Sequence, residues 1–251
     1  MKIQKITLPN IRKIVAIASG KGGVGKSTIA YNLAVKLSKK GYKVGFLDAD
    51  IYGPSLPCFT GIRQKPPLSE KKFIPHFVNG LHGMSMGFLL EKKAPVLWRG
   101  PLLQTALRQL FQDVAWPPLD ILFVDMPPGT GDAHITLGQS VSSVQAVLVS
   151  TSQPIALEDT IRCLKTFQKM DVPILGMIEN MKTFVCPACK TELDIFSGEN
   201  MEGLCQKENI PYLGSLPLDP AIIQMTNQGK AIDQNVSFER IMNRFLETAH
   251  I

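Results

Sequence analysis

The chain has 251 residues, of which 45% are hydrophobic and 19% charged, with a formal net charge of +6. This is enough apolar material for one sizeable core, and no internal repeat, low-complexity tract or long linker divides it. The basic surplus is dispersed in pairs such as Lys39/Lys40, Lys71/Lys72 and Lys92/Lys93, without interleaved aromatics, which argues against a nucleic-acid groove and for a solvated surface that favours anionic nucleotides.

The N-terminal apolar stretch is cut by Gly20 and Lys21 before any signal-peptide cleavage pattern, and the apolar runs are too short to span a bilayer. The expected compartment is the cytoplasm, without stable membrane association. Lys13 to Ser19 reads as a buried strand. Lys26 to Lys40 reads as a helix, with Ile29, Leu33, Val35 and Leu37 at roughly helical spacing. Between them lies Gly20, Lys21, Gly22, Gly23, Val24, Gly25, Lys26, Ser27, Thr28, whose Gly20, Gly25, Lys26, Ser27 spacing is that of a phosphate-binding loop. Glycines let main-chain N–H groups converge on phosphate oxygens, and the helix start adds its positive end. Lys26 is the expected partner of the β and γ phosphates of ATP, and the Ser27 hydroxyl an expected magnesium ligand.

Further strands are expected at Lys43 to Leu47, Leu119 to Val124, Val144 to Ser150, Val172 to Ile178 and around Tyr212 to Ser215, with helices at Leu102 to Val114 and Ile155 to Met170. The alternation predicts an α/β fold, a three-layer arrangement with a mostly parallel central sheet and helices on both faces. Ligands of such sheets sit at the carboxyl ends of strands. Asp48 and Asp50 follow one such end and would face the phosphates together if the extended conformation persists; Asp125 ends another and suits magnesium. The run Met126 to Asp132 reads as a nucleotide-sensing switch in which Gly129 can present an N–H to the γ-phosphate.

Cys186-Pro187-Ala188-Cys189 sits in a polar insertion, near 181–198, ahead of a helix expected to start near Glu199. Two thiols so spaced can serve a redox disulfide, a zinc site completed by Cys205, or iron–sulfur ligation. The odd total of five cysteines argues against a disulfide framework. A 4Fe-4S cluster wants four thiolates, so a symmetric homodimer facing pair to pair would complete one. Cys163 lies in an apolar helical pattern as a core side chain. Asn180, after the apolar strand that ends at Ile178, reads as a cap or turn residue before the insertion, with an amide that can both donate and accept. Near the end, Phe238, Ile241, Met242, Phe245 and Leu246 form an apolar stripe, expected to dock on the core rather than on a membrane.

Gly20 to Thr28, the run Leu47 to Ser55, Trp98-Arg99-Gly100-Pro101 and Asp125 to Asp132 together resemble the Mrp/ApbC branch of the deviant Walker A ATPases, relatives of MinD and ParA, over nearly the whole chain. The resemblance implies that Lys21 reaches the partner subunit's nucleotide, Asp50 orients the attacking water and Asp48 supports the magnesium shell, and it sets an adenine-edge contact for Asn180 beside the turn reading. It also implies slow ATP hydrolysis and a labile cluster on Cys186 and Cys189, received from a scaffold donor and passed to iron–sulfur apoproteins. One single ATPase domain is expected over 1–251. The small domain that precedes the ATPase in many bacterial members is expected to be absent or supplied by another protein, and the N-terminal cysteine cluster of eukaryotic cytosolic relatives is not expected. Two other readings are a MinD/ParA-like switch in partitioning or positioning, which leaves the cysteine pair unexplained, and a zinc-binding regulatory ATPase.

Overall fold

The sheet is built around a strand that is apolar on both faces. In the computed structural model, which describes residues 5–89, 101–196, 198, 200–230, 232 and 235–251, β1 (Ile11–Ala18) is followed by α1 (Lys26–Lys39) and β2 (Val44–Asp48). Val15 to Ala18 are fully buried, as a central parallel strand covered by helices requires. The short α2 (Leu56–Thr60) leads to the small hairpin β3 (Leu68–Ser69) and β4 (Lys72–Phe73), then to β5 (His76–Val78) and β6 (Leu81–Ser85). After α3 (Pro101–Gln112) the alternation resumes with β7 (Leu119–Asp125), α4 (Asp132–Ser140), β8 (Val144–Ser150), α5 (Pro154–Lys169) and β9 (Ile174–Glu179). The hairpin β10 (Thr183–Val185) and β11 (Glu192–Asp194) is followed by α6 (Met201–Lys207), β12 (Tyr212–Ser215), α7 (Pro220–Asn227) and α8 (Val236–Ala249).

The main sheet has the order β12-β9-β8-β1-β7-β2-β6-β5, parallel except for β5 at the edge. The α/β expectation therefore holds, including the mostly parallel sheet. Because β1 lies between β7 and β8, the chain leaves it in one direction toward β2 and returns on the other side. The resulting crevice at the strands' carboxyl ends is where open sheets bind ligands.

Boundaries moved for local reasons. The strand expected from Val172 begins at Ile174, because Val172 N–H closes the end of α5 on Phe167 O and Pro173 has no N–H to give. The helix expected near Glu199 starts at Met201, where the Asn200 side chain caps Glu202 N–H at 3.1 Å. Strands β5 and β6 and the hairpin β3–β4 carry too few residues to have been visible as periodic patterns. Trp98, Arg99 and Gly100 lie outside the described residues.

The apolar stripe of α8 is spent on the core. Phe238, Ile241, Met242 and Phe245 are buried, and the Phe245 ring lies 5.7 Å from that of Phe123. Each such side chain contributes about 1.5–3 kcal/mol on burial, which a membrane-seeking helix would forgo. Among the described residues no helix is long and apolar enough to cross a membrane.

Candidate functional site

The phosphate loop leaves β1 through Gly20, where a Cβ would come within 2.1 Å of the Asp159 backbone, so only glycine lets the loop lie against α5. It enters α1 through Gly25 at φ +84°, in the left-handed region. A Cβ there would also meet Asn180 Nδ2 at 2.2 Å. Gly25 is the N-cap of α1 but provides no side-chain cap, and the first turn holds no acidic residue. The N–H groups that a serine or aspartate would ordinarily satisfy are left for an anion.

Lys26 and Asp125 meet at this loop. Lys26 Nζ donates to Asp125 Oδ1 at 2.5 Å and to Ser27 Oγ at 3.1 Å, and the Ser55 hydroxyl donates to Asp125 Oδ2 at 3.1 Å. Asp48 is directly across the ladder from Asp125. Burial first, and then the neighbouring Asp125 charge, push the Asp48 carboxyl up to about 7, opposed by hydrogen bonds from Leu56 N–H and the Ser85 hydroxyl, both at 2.9 Å. Two buried carboxylates thus share one buried ammonium. Together with the Ser27 hydroxyl they form a hard-oxygen set that suits magnesium, and the uncapped helix start suits phosphate.

The pairing of Asp48 with Asp50 did not survive. Strand β2 stops at Asp48, and the chain turns so that Asp50 N–H points back to Asp48 Oδ1 at 3.3 Å. Asp48 is held beneath the following loop by Leu56 and Ser85. Asp50 instead accepts from Tyr52 N–H and Gly53 N–H, both at 3.1 Å. It lines a cavity of about 450 Å³ with Pro127, Pro128, Asp132 and His134. The two acids therefore hold separate posts.

Gly129 N–H, expected to be available to phosphate, donates to Ser19 O at 2.9 Å and ties the switch to the end of β1. Asn180 is joined to the loop, Nδ2 donating to Val24 O at 2.9 Å, so its amide positions the phosphate cradle itself. Lys21 is half-buried, and among the described residues nothing accepts from its Nζ. Sequence reasoning missed Ser55, Ser85 and His134. Ser55 lay within a run singled out for other residues; Ser85 and His134 carry no local signal. His134 is buried edge-on to Phe167 at 5.6 Å, with both ring nitrogens unpartnered. Burial and then the Lys26 charge hold it down at about 4, so it is neutral.

The cysteine pair lies away from the core, at the tip of the β10–β11 hairpin. Cys186 N–H donates to Thr191 O and Lys190 N–H to Cys186 O, both at 2.9 Å, with Lys190 in the left-handed region at φ +61°. This tight knuckle brings the thiols together. Cys189 Sγ lies 3.3 Å from Thr191 Oγ1. Hydrogen bonding with the Thr191 side chain, then with its backbone and the Cys186 side chain, draws the exposed Cys189 thiol down to about 7, toward the thiolate that binds metals. Cys163 and Cys205 are the opposite case, buried in the core with thiols pushed up to about 12 and about 11, chiefly by burial. Cys205 packs inward from α6 and does not complete a three-cysteine zinc site. Among the described residues no group of three or more His, Cys, Asp or Glu could hold a metal ion.

Residues 10–250 match the ParA family described as NUBPL iron-transfer P-loop NTPase. The chain belongs to that family. It is similar to the iron-sulfur protein required for NADH dehydrogenase of Arabidopsis thaliana mitochondria, 47% identical over 227 residues, covering 90% of this chain and 72% of that protein. An iron-sulfur cluster carrier protein of Aquifex aeolicus is 40% identical over 247 residues, with 97% and 68% covered. Among solved structures, a nucleotide-binding protein from Archaeoglobus fulgidus in complex with ADP superposes with a TM-score of 0.77 at 33% identity, over 92% of this chain and 91% of that one. MinD from Pyrococcus horikoshii with Mg-ADP gives 0.67 at 21% identity over 96% of each chain, a likeness of fold alone. As a member of this P-loop NTPase family the chain is a nucleotide-binding protein; the expected relation to ParA is borne out, and that to MinD is one of fold.

Proposed function

We propose that this NUBPL-family chain is an iron–sulfur cluster carrier that binds ATP, hydrolyses it slowly as a homodimer, and delivers a 4Fe-4S cluster, bridged between the Cys186/Cys189 pairs of two copies, to apoproteins. The observation that carries the reading is the convergence of two thiols, Cys186 half-buried and Cys189 exposed, on one hydrogen-bonded knuckle in a chain that also carries an uncapped phosphate loop. A switch ATPase for partitioning needs the loop but has no use for the knuckle.

At the nucleotide, Gly22 to Thr28 bind the phosphates through main-chain N–H groups, and Lys26 exchanges Asp125 for the β and γ phosphates. That exchange frees Asp125 Oδ1, which with Ser27 Oγ would hold magnesium, with Asp48 behind them supporting its shell. Magnesium supplies charge neutralisation on the phosphate oxygens when bound. Asp50, in the cavity beside the switch, orients the attacking water. Lys21, with no acceptor of its own among the described residues, crosses to the partner's nucleotide and neutralises transition-state charge as an arginine finger does. Asn180 holds the loop and reads the adenine edge. The cluster is cargo, received from a scaffold donor. Because Lys21 and the thiols both require a second copy, nucleotide binding controls how firmly the cluster is held.

Anaerobic reconstitution tests this. About four iron and four sulfide per dimer, lost in Cys186→Ser, is the expected result. Tight zinc without iron uptake would leave a zinc-binding regulatory ATPase instead.

A further inference from the structure

Side chains alternate across the two faces of the β10–β11 hairpin, and directly paired residues share a face. Thr183 pairs with Asp194, Phe184 with Leu193, and Val185 with Glu192. One face therefore carries Thr183, Val185, Glu192 and Asp194. The other carries Phe184 and Leu193, and the Cys186 to Thr191 hydrogen bond extends it to those two residues. Thr191 Oγ1 touches Cys189 Sγ, which in turn meets the Cys186 thiol. Both thiols thus sit at the end of the face that holds Phe184 and Leu193.

The two faces differ in what they can meet. Self-association about a two-fold axis sets a patch against its own copy. The face with Glu192 and Asp194 would bring like charges together, whereas the Phe184, Leu193, Cys186, Thr191 stretch beside the tip is uncharged and exposes Leu193 at 53%; Lys182, at the far end of the same face, is ion-paired with Glu179. The cysteine count names the occupant, since two thiolates of a four-thiolate set are here and the same face of a second copy brings the other two.

We infer that the Phe184–Leu193 face of the hairpin is a self-docking surface, closing over the bridged cluster so that two leucines and two phenylalanines wall it from water. This deepens the proposed function and rests on it. The face is too small to hold a dimer alone, because stable interfaces bury about 1,200–2,000 Å² and two side chains per copy fall far short. Docking is therefore conditional on the cluster, and the seal opens when the copies part. Exclusion of solvent by this wall slows loss of the cluster.

The test compares Leu193→Asp with Val185→Asp, which places the same charge on the opposite face of the same hairpin, where Val185 is 44% exposed. Wild type and both variants are reconstituted anaerobically with iron and sulfide, and loss of the cluster absorbance to a chelator is timed. The expected result is loss about tenfold faster in Leu193→Asp, with Val185→Asp close to wild type. Leu193→Thr, which retains strand propensity, should fall between them and guards against misfolding of the aspartate variant. Equal retention in all the hairpin variants overturns the self-docking face while leaving the carrier reading intact. A wild-type protein that takes up no cluster overturns both.

Discussion

Lys26 and Asp125 form a buried ion pair, Nζ to Oδ1 at 2.5 Å, between residues 99 positions apart. In the proposed function the lysine assigned to the phosphates is held by the carboxylate assigned to the metal, and nucleotide would part them. Removing one partner leaves an uncompensated buried charge. Lys26→Met should lower stability by about 3–5 kcal/mol in urea denaturation, and Asp125→Asn added to it should recover part of that loss. Strictly additive effects would show that the pair is not coupled.

Asp48 and His134 make opposite pH contributions. The Asp48 carboxyl is raised from 3.8 to about 7 by burial and by Asp125, so the folded form holds the proton more tightly. Its contribution is full below the unfolded value and is lost as pH rises toward about 7. Asp48→Asn should therefore flatten a decline in nucleotide-free stability across that window, read from denaturation midpoints at several pH values.

The His134 ring is lowered from 6.5 to about 4, so the unfolded chain binds a proton that the folded one refuses. Stability from this group is present above the unfolded value and is lost as pH falls through the window. His134→Leu should remove that acid sensitivity. It should also raise stability near neutral pH by about 1–3 kcal/mol, because two unpartnered buried nitrogens disappear.

Gly25→Ala tests the loop geometry. A left-handed backbone costs an alanine about 1–2 kcal/mol, and its Cβ would press on the Asn180 amide at 2.2 Å. Calorimetric titration should show loss of nucleotide binding in a protein that still folds. Retained affinity would mean the loop is not used as described.

Thiol reactivity should divide by location. Under native conditions iodoacetamide should label Cys189 well before Cys163 and Cys205, which react only after denaturation. Peptide mass spectrometry over a time course reads this directly, and prompt labelling of Cys205 would contradict its burial.

Much of the site was legible along the chain. The strand, glycine loop and helix from Ile11 to Lys39 are contiguous, and their signal is local: an apolar run, a spacing of glycines and a helical period. The cysteine pair is likewise a spacing of three, which marked it for redox or metal chemistry, while the turn that holds it came from the hairpin. Asp125 announced itself by ending an apolar strand. The α8 stripe gave its periodicity but not its partner.

What the amino-acid order fixed unaided, then, was the kind of element and the kind of chemistry, because propensity, periodicity and motif spacing act over a few residues. The fold alone decided which donor each carboxylate meets. Asp48 is occupied by Leu56 and Ser85, Asp125 by Lys26 and Ser55, and Asn180 by Val24. Those partners are brought together by strand order and register in a parallel sheet, and such long-range pairings leave no periodic trace in the sequence. Which hairpin face carries the thiols was decided the same way, since a shift of one residue in the pairing would have turned every side chain over.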